Sequence, residues 1–205
     1  MNEFLSALQE LKKISKKRNF EQSVDLIINL KDFDINKQNI NTAVELPFQI
    51  RESKICAFLD KDNDAFDFVI KKDQFSQLKP EHIKKLASEY DFFVSLASLM
   101  PAVATAFGRI LGPAGKMPNP KTGGVIPDEK KAAEVVQKLK KTILLKTKDA
   151  SVKTSIGKES MKEENMIQNA VLVYNTILNS LPNRKENIRS VMLKLTMSKP
   201  IKVKI

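Results

Sequence analysis

The sequence predicts a mixed α/β fold with two kinds of sheet, on three observations. Short, continuously apolar runs alternate with helical patterns between residues 55 and 141, as in an α/β unit whose parallel strands are buried on both faces. After residue 151, strands of alternating polarity flank one helix, which is typical of an antiparallel α+β unit. Near the N-terminus, an amphipathic helix precedes a further alternating strand.

The N-terminal part of the chain predicts one helix and two strands. Apolar residues at helical spacing indicate a helix over residues 4–14, and alternation indicates a strand over 24–30. A polar loop is expected over 31–41. A second strand is expected over 44–50, and Pro47 favours a position at the edge of a sheet because proline donates no backbone hydrogen bond.

The middle part predicts three buried strands and three helices. The strands are expected at 55–59, 66–70 and 92–94, and the helices at 80–89, 99–109 and 128–141. Four of the nine prolines and four of the six glycines lie between Gly112 and Pro127. This density predicts a long structured turn over that segment rather than a helix or strand.

The C-terminal part predicts a helix enclosed by strands. Strand patterns cover 152–156, 188–196 and 201–205. Ser160 followed by Glu163 has the spacing of a capping box. It predicts the start of a helix that continues to about residue 179.

Composition excludes several classes of function. The single cysteine, Cys56, cannot form an intrachain disulfide, and together with the single histidine, His82, it cannot build a tetrahedral zinc site. The longest nearly apolar stretch, 92–107, is too short and too polar to span a bilayer, and the first residues lack the pattern of a secretory signal. We therefore expect a cytoplasmic protein with no metal, no cofactor and no membrane partner.

The charge of the chain indicates a polyanionic partner. Lys and Arg number 35 against 24 Asp and Glu, a net charge of +11, which is typical of proteins that bind nucleic acid or anionic membranes. Residues 148–205 carry 11 basic and 5 acidic groups, whereas 1–54 carry 9 and 8, and 55–147 carry 15 and 11. Basic clusters at 12–18 and 184–204 favour a surface for RNA phosphates.

Two segments in the middle part partly match ligand-binding motifs, but both matches are incomplete. A phosphate loop would need Gly at Ile110 and a hydroxyl residue at Met117, and Pro113 removes a backbone donor that such a loop would use. The acidic run between Asp60 and Asp67 lacks the glycine and terminal glutamate of a calcium loop. We interpret both segments as surface connections.

Three segments resemble the L-one family of large-subunit ribosomal proteins, the proteins of the mobile ribosomal stalk. They are residues 108–120, 18–26 and 189–200, and they occur in the order expected for the family. The lysine-rich chain and its Leu-Thr-Met segment are more similar to the archaeal than to the bacterial type. The resemblance implies an RNA-binding α+β domain built from 1–53 and 149–205, with a Rossmann-like α/β domain inserted over 54–148.

The resemblance also implies an RNA site where the strand after the first helix meets the C-terminal Thr-Met turn. Aromatic and thioether side chains would pack on sugars and bases, hydroxyls would bond riboses or phosphates, and a carboxylate would accept from a 2′-hydroxyl. The implied rRNA- and mRNA-binding residues are Phe20, Ser23, Asp25, Ser190, Thr196, Met197 and Ser198. Charge and proximity to these residues add Lys17, Arg18, Lys194 and Lys199 to the predicted site. The signature loop of the inserted domain comprises Arg109, Gly112, Pro113, Gly115, Lys116, Pro118, Asn119 and Pro120.

The implied function is that of a structural constituent of the large ribosomal subunit with no catalytic residues. Its expected partners are stalk rRNA, exit-site tRNA during its release, and its own mRNA, whose translation it would repress. Off the ribosome it is expected to be a monomer without a small-molecule substrate. Two alternatives stay open, a free-standing RNA-binding translational regulator and a nucleotide-binding α/β enzyme.

Two residues depart from the family pattern at the implied RNA site. Asn19 stands where a basic residue usually precedes the phenylalanine, and the neighbouring Arg18 is expected to compensate. Ser198 stands where the family usually has glycine after Thr-Met. If that backbone position requires a positive φ angle, a serine there would be strained and the contact with RNA would be weakened.

Overall fold

A computed structural model of the chain describes residues 2–16, 18–34, 40–75, 77–128 and 131–204. It has a mixed α/β fold with two sheets, as predicted. The helices within these residues are α1 (Asn2–Ile14), α2 (Pro80–Glu89), α3 (Met100–Ala114), α4 (Ala132–Lys141) and α5 (Glu163–Ser180). The strands are β1 (Ser23–Leu30), β2 (Asn41–Glu45), β3 (Ile55–Leu59), β4 (Phe68–Lys71), β5 (Phe92–Leu96), β6 (Val125–Ile126), β7 (Thr142–Lys148), β8 (Ser151–Lys158), β9 (Ile188–Leu195) and β10 (Ile201–Val203).

The chain divides into two compact units. The first unit comprises residues 1–50 and 141–205, and the second comprises 51–140. By these bounds the first unit carries 20 basic and 12 acidic residues and the second 15 and 12. Most of the excess positive charge therefore belongs to the first unit.

The first unit is built on an antiparallel sheet with the order β10-β9-β1-β8-β7-β2. Strand β1 lies inside this sheet, paired with β8 on one side and β9 on the other. Its residues alternate strictly between buried and half-buried positions. The buried face packs with apolar residues of α1 and α5 in one core, so the alternation predicted over 24–30 reflects one covered face.

The second unit is built on a parallel sheet with the order β4-β3-β5-β6. Every residue of β3 is buried, as a continuously apolar run predicts for a strand covered on both faces. Phe58 on β3 lies within ring contact of Phe75, Phe93 and Phe107. These rings fill the core between the sheet and α3.

Three strands differ most from the prediction. One is β6, which lies in the segment predicted to be a turn without a strand. β2 occupies residues 41–45 instead of 44–50, because the strand ends before Pro47, and it lies at the sheet edge. β7 was not predicted, because its alternation follows α4 without any Gly or Pro to mark the boundary. It pairs with β2 and β8 of the first unit, so residues 142–148 lie outside the second unit, whereas the sequence placed them in the insertion.

The long turn predicted from Gly112 is wrong in its first part. Helix α3 continues to Ala114, with Pro113 in its last turn, where only one backbone hydrogen bond is lost. Gly115 then adopts a left-handed conformation with φ of 65°, and its N–H bonds the carbonyl of Gly112 at 2.8 Å. The glycine thus ends a helix instead of beginning a loop.

The capping box predicted at Ser160 is also wrong. Helix α5 begins at Glu163 as expected, but its N-cap residue is Lys162, which makes no side-chain cap. Ser160 instead donates its hydroxyl hydrogen to the carboxylate of Glu21. The spacing matched a local motif, while the side chain forms a contact that is distant in sequence.

Asn169 gives a test of what secures the segment after β2. This buried side chain accepts from the N–H of Phe48 at 3.3 Å and donates to the carbonyls of Phe48 and Ile156, both at 3.0 Å. We expect Asn169→Leu to lower the free energy of unfolding by about 2–3 kcal/mol, because three buried backbone groups lose their partner. The measurement is urea denaturation followed by circular dichroism, since the chain has no tryptophan.

The matched control is Gln168→Leu, at the exposed neighbouring position of the same helix. It should leave the urea midpoint almost unchanged. Equal effects of the two variants would show that Asn169 does not secure this segment.

Candidate nucleic-acid interface

Two turns of the first unit meet beside the end of β1. The segment before β1 contacts the turn after β9, because Val24 pairs with Leu195 in the sheet. The N–H of Ser23 donates to the hydroxyl oxygen of Thr196 at 3.0 Å, and the N–H of Thr196 donates to the carbonyl of Ser23 at 3.1 Å. We call residues 18–23 and 196–199 together the turn cluster.

Gln22 joins the turn cluster to a third segment. Its side chain is buried, and its amide oxygen accepts from the N–H of Met197 at 3.2 Å. Its backbone carbonyl accepts from the N–H of Glu159 at 2.9 Å, and its amide nitrogen lies 3.5 Å from the Glu159 carboxylate. One buried amide therefore connects the loop after β8 to both turns.

Two large apolar side chains project from the turn cluster into solvent. Phe20 is 51% exposed and Met197 is 61% exposed. Exposed large apolar residues that share one place are a mark of binding surfaces. The cations Arg18 and Lys199 are exposed on the same two segments, so the cluster combines apolar contact area with positive charge.

Ser198 fits the turn in which it lies. Its N–H donates to the carbonyl of Leu195 at 3.1 Å, which closes a tight turn, and its hydroxyl oxygen accepts from the N–H of Leu195 at 2.9 Å. Its φ is not in the left-handed region. The strain expected for serine in place of glycine therefore does not arise, because the hydroxyl stabilises this turn.

The half-buried face of the sheet continues the polar surface away from the turns. On β1 this face carries Asp25, and Lys194 of β9 lies directly opposite. Further along, the amide nitrogen of Asn29 donates to the hydroxyl of Ser190 at 3.0 Å. Asp25, Ser190 and Lys194 thus lie on one face, with Ser190 towards the other end of β9 from Thr196.

Two carboxylates near the turn cluster have pKa values shifted in opposite directions. Burial raises the pKa of Asp25, and the positive charge of Lys194 partly offsets the effect. A hydrogen bond from Ser160 lowers the pKa of Glu21, and the ammonium of Lys158 at 3.0 Å lowers it further. Glu21 is thus held ionised by two fixed partners.

Sequence reasoning missed the contribution of the loop after β8. Lys158, Glu159 and Ser160 hold the turn cluster from one side. A signal was present at Gln22, which has the same parity as the buried residues of β1. A polar residue in register with a buried face needs hydrogen-bond partners, and this one finds them on distant segments.

The structure brings most of the predicted RNA-binding residues together. Lys17 lies outside the residues that the structure describes. Arg18, Phe20, Ser23, Thr196, Met197, Ser198 and Lys199 belong to the turn cluster, while Asp25, Lys194 and Ser190 extend along the sheet face. The pairing of β1 with β9 accounts for this grouping.

The residues of the predicted signature loop lie in the second unit and have mostly structural roles. Arg109, Gly112 and Pro113 belong to α3, and Pro118 is buried. The carbonyl of Asn119 accepts from the N–H of Gly124 at 3.0 Å and from the N–H of Thr122 at 3.1 Å. Pro120 begins a single 3₁₀ turn at 120–122.

Lys116 contradicts the phosphate-loop interpretation of this segment. Its ammonium donates to the carbonyls of Ala87 and Tyr90, both at 2.7 Å. These carbonyls lie at the C-terminal end of α2, where a cation is favoured by the helix dipole. The side chain that a phosphate loop would direct to a nucleotide is therefore bound within the protein.

The part of the chain that the structure describes contains no group of three or more His, Cys, Asp or Glu side chains able to hold a metal ion. Among the same residues, none of the helices combines the length and apolar character needed to cross a bilayer. Burial raises the pKa of Cys56 to about 12, so its thiol is protonated at neutral pH and unsuited to nucleophilic chemistry.

Comparison with known proteins gives one consistent result. A model of the Ribosomal protein L1p/L10e family matches residues 11–199. The large ribosomal subunit protein uL1 of Methanothermobacter thermautotrophicus is 34% identical over an alignment of 213 positions that covers 98% of each chain. The proteins of the same description from Nanoarchaeum equitans and Thermococcus kodakarensis are 37% and 36% identical, covering 92% and 97% of this chain and 93% and 95% of their own.

The bonds of Lys116 can be tested by substitution. We expect Lys116→Met to lower the stability of the second unit by about 1–3 kcal/mol, because two backbone carbonyls lose a charged donor while the aliphatic stem is kept. Hydrogen exchange of the α2 amides provides the measurement. Lys84→Met, at an exposed position of α2, should leave exchange unchanged, and equal protection in both variants would contradict the assigned role.

The raised pKa of Asp25 leads to a prediction about the pH dependence of stability. A raised pKa means that the folded chain binds the proton more tightly than the unfolded chain, so stability is lost as pH rises through the folded pKa. Asp25→Asn, which cannot ionise, should therefore be more stable than the parent at pH 7 and equally stable at about pH 3. Urea denaturation at both pH values measures the difference in stability. Glu10→Gln, at an exposed position of α1, is the control. A variant less stable than the parent at pH 7 would refute the prediction.

Proposed function

Since the chain belongs to the Ribosomal protein L1p/L10e family, we propose that it binds the stalk region of large-subunit ribosomal RNA through the turn cluster. The protein is a structural constituent of the large subunit of cytoplasmic ribosomes and is not an enzyme. The turn cluster and the adjoining sheet face supply the RNA contacts in this proposal.

The observation that carries the proposal is the exposure of Phe20 and Met197 on two turns that are fixed to each other. Both side chains expose more than half of their surface, although a monomer would gain free energy by burying them. Hydrogen bonds through Gln22 and Thr196 hold the turns in place. A rigid pair of apolar side chains offers unstacked bases and riboses a preformed contact.

The charge of the first unit supports the same assignment. Its 20 basic against 12 acidic residues attract a polyanion to the unit that carries the turn cluster. Arg18 and Lys199 lie on the two turns themselves, and Lys194 lies on the adjoining sheet face. Phosphates on either side of a base held by Phe20 would therefore meet a cation.

The hydroxyl groups divide into two sets in this proposal. The hydroxyl of Thr196 joins the two turns by accepting from the N–H of Ser23, and that of Ser198 closes the turn after β9. Their main contribution is therefore to hold Met197 in position. Ser23 and Asp25 begin the half-buried face of β1. Asp25, as a carboxylate acceptor, can take a hydrogen bond from a ribose 2′-hydroxyl, which DNA lacks.

We infer that the finer roles implied by the family resemblance use this site too. Repression of the protein's own mRNA requires an RNA that imitates the stalk and competes for the same turn cluster. A role in the release of exit-site tRNA follows from a position in the stalk. Co-sedimentation with large subunits at high salt would separate this function from that of a free-standing regulator, which would remain in the supernatant.

The decisive experiment compares a stalk rRNA fragment with a shuffled RNA of equal length. We expect the parent protein to prefer the stalk fragment, and Phe20→Ala and Met197→Ala each to weaken that binding by about 10- to 100-fold, since base stacking contributes roughly 1–3 kcal/mol per base. Fluorescence anisotropy over a salt series measures both affinity and its salt dependence. Equal binding of the two RNAs by the parent would overturn the proposal.

Matched controls are available for both substitutions. Phe68 is 42% exposed and lies in the second unit, and Leu172 is 37% exposed on α5, beside the residues of β2 at the other edge of the sheet. Phe68→Ala and Leu172→Ala remove apolar surface away from the turn cluster. Both should keep the parent affinity within about twofold, and circular dichroism should show that all four variants are folded.

A further inference from the structure

A basic pocket lies at the other end of β9, away from the turn cluster. It has a volume of about 390 Å³ and is formed by the start of β9, the end of β10, the turn before β9 and helix α5. Four cations line it, namely Lys185, Arg189, Lys202 and Lys204. We call this the basic pocket.

The positive charge of the basic pocket is not neutralised by ion pairs with the residues that the structure describes. Among the residues that the structure describes, none of the four cations forms an ion pair. Two carboxylates belong to the neighbouring segments, namely Glu186, exposed in the same turn as Lys185, and Glu3, whose charge acts on Tyr174. Neither of them lines it. Four like charges around one cavity repel each other and favour an anionic occupant.

A β-bulge in β9 changes the direction of one of the cationic side chains that line the basic pocket. The pairing of β1 with β9 shifts register so that Asn29 faces Ser190 and Leu30 faces Ile188. Arg189 is the extra residue of this β-bulge, a device that re-aims a side chain and occurs often beside functional sites. Tyr174, buried on α5, also lines the pocket and offers a neutral phenol as a hydrogen-bond donor.

We propose that the basic pocket binds phosphates of the RNA backbone, as a second contact separate from the turn cluster. The proposal rests on the proposed function, because both contacts would belong to one RNA. Arg189 and Thr196 are seven residues apart on one strand and turn, roughly 23 Å at about 3.3 Å per residue. That span exceeds one nucleotide, so the bound RNA would extend along β9 over several nucleotides.

The division of labour follows from the chemistry of the two ends. The turn cluster offers apolar surfaces and hydroxyls, which suit bases and riboses, whereas the basic pocket offers charge and one phenol, which suit phosphates. Ser190 lines the basic pocket and lies on the same sheet face as Asp25. It connects the two contacts.

The test uses the full chain with two charge-matched double variants. Lys202→Gln with Lys204→Gln removes two cations of the basic pocket, and Lys84→Gln with Lys85→Gln removes two exposed cations of α2. Both pairs change the net charge equally and leave the turn cluster intact. The probe is the stalk rRNA fragment, bound over a salt series.

We expect the pocket variant to lose about 5- to 20-fold in affinity and its log–log salt slope to fall by about one to two units, because each phosphate contact contributes roughly 0.7–0.9 unit. The α2 variant should keep both values near those of the parent. In hydroxyl-radical footprinting, the pocket variant should lose protection at nucleotides different from those lost in Phe20→Ala.

Three outcomes would overturn the proposal. The first is a pocket variant that matches the α2 variant while Phe20→Ala still loses affinity, which would leave the proposed function standing. The second is loss of protection at the same nucleotides as Phe20→Ala, which would mean one contact instead of two. The third is saturable binding of inorganic phosphate in the pocket with RNA affinity unaffected by the pocket variant, which would make it a free-phosphate site. Failure of the proposed function itself is recognised separately, by equal binding of stalk and shuffled RNA to the parent.

Discussion

The pairing of β1 with β9 is the constraint on which the candidate RNA surface depends. It aligns Val24 with Leu195 and so brings the turn before β1 against the turn after β9. The hydrogen bonds of Ser23 with Thr196, and of Gln22 with Met197, can form only in that register. A shift of one residue would exchange the buried and half-buried faces of β1, placing Asp25 in the core and Leu26 in solvent.

The same pairing explains why the polar groups of the surface are so fully used within the protein. Ser198 closes a turn, Thr196 joins that turn to Ser23, Gln22 connects three segments, and Glu21 binds Ser160 and Lys158. What is left exposed on the turns is mainly apolar or cationic, in Phe20, Met197, Arg18 and Lys199. A surface organised in this way loses little conformational freedom when it binds, because its backbone is already fixed.

Much of this architecture could be predicted from local sequence patterns, and the exceptions have physical causes. Helix α2 and strand β3 were predicted at the residues they occupy, since apolar periodicity and a leading Pro80 define them locally. The end of α3 was not, because Gly112 and Pro113 disfavour a helix while the last turn tolerates both. β7 was missed because only its partners, β2 and β8, identify it as a strand. At the site, Phe20 and Met197 could be named from sequence, whereas the bridging role of Gln22 depends on segments more than a hundred residues away.

The two turns of the turn cluster are far apart in the sequence, so they are synthesised at different times. All strands of the parallel sheet come from one continuous segment, 51–140, whereas the turn cluster combines residues 18–23 with 196–199. During synthesis, which adds about 5–20 residues per second, β1 waits for β8 and β9 for most of the time that the chain takes to be made. A chain interrupted before residue 188 has no β9 and no Met197, so the amide oxygen of Gln22 lacks the N–H of Met197. Such a chain carries Phe20 without the second turn of the turn cluster. Under the proposed function, recognition of RNA therefore requires a chain that has been synthesised past residue 199.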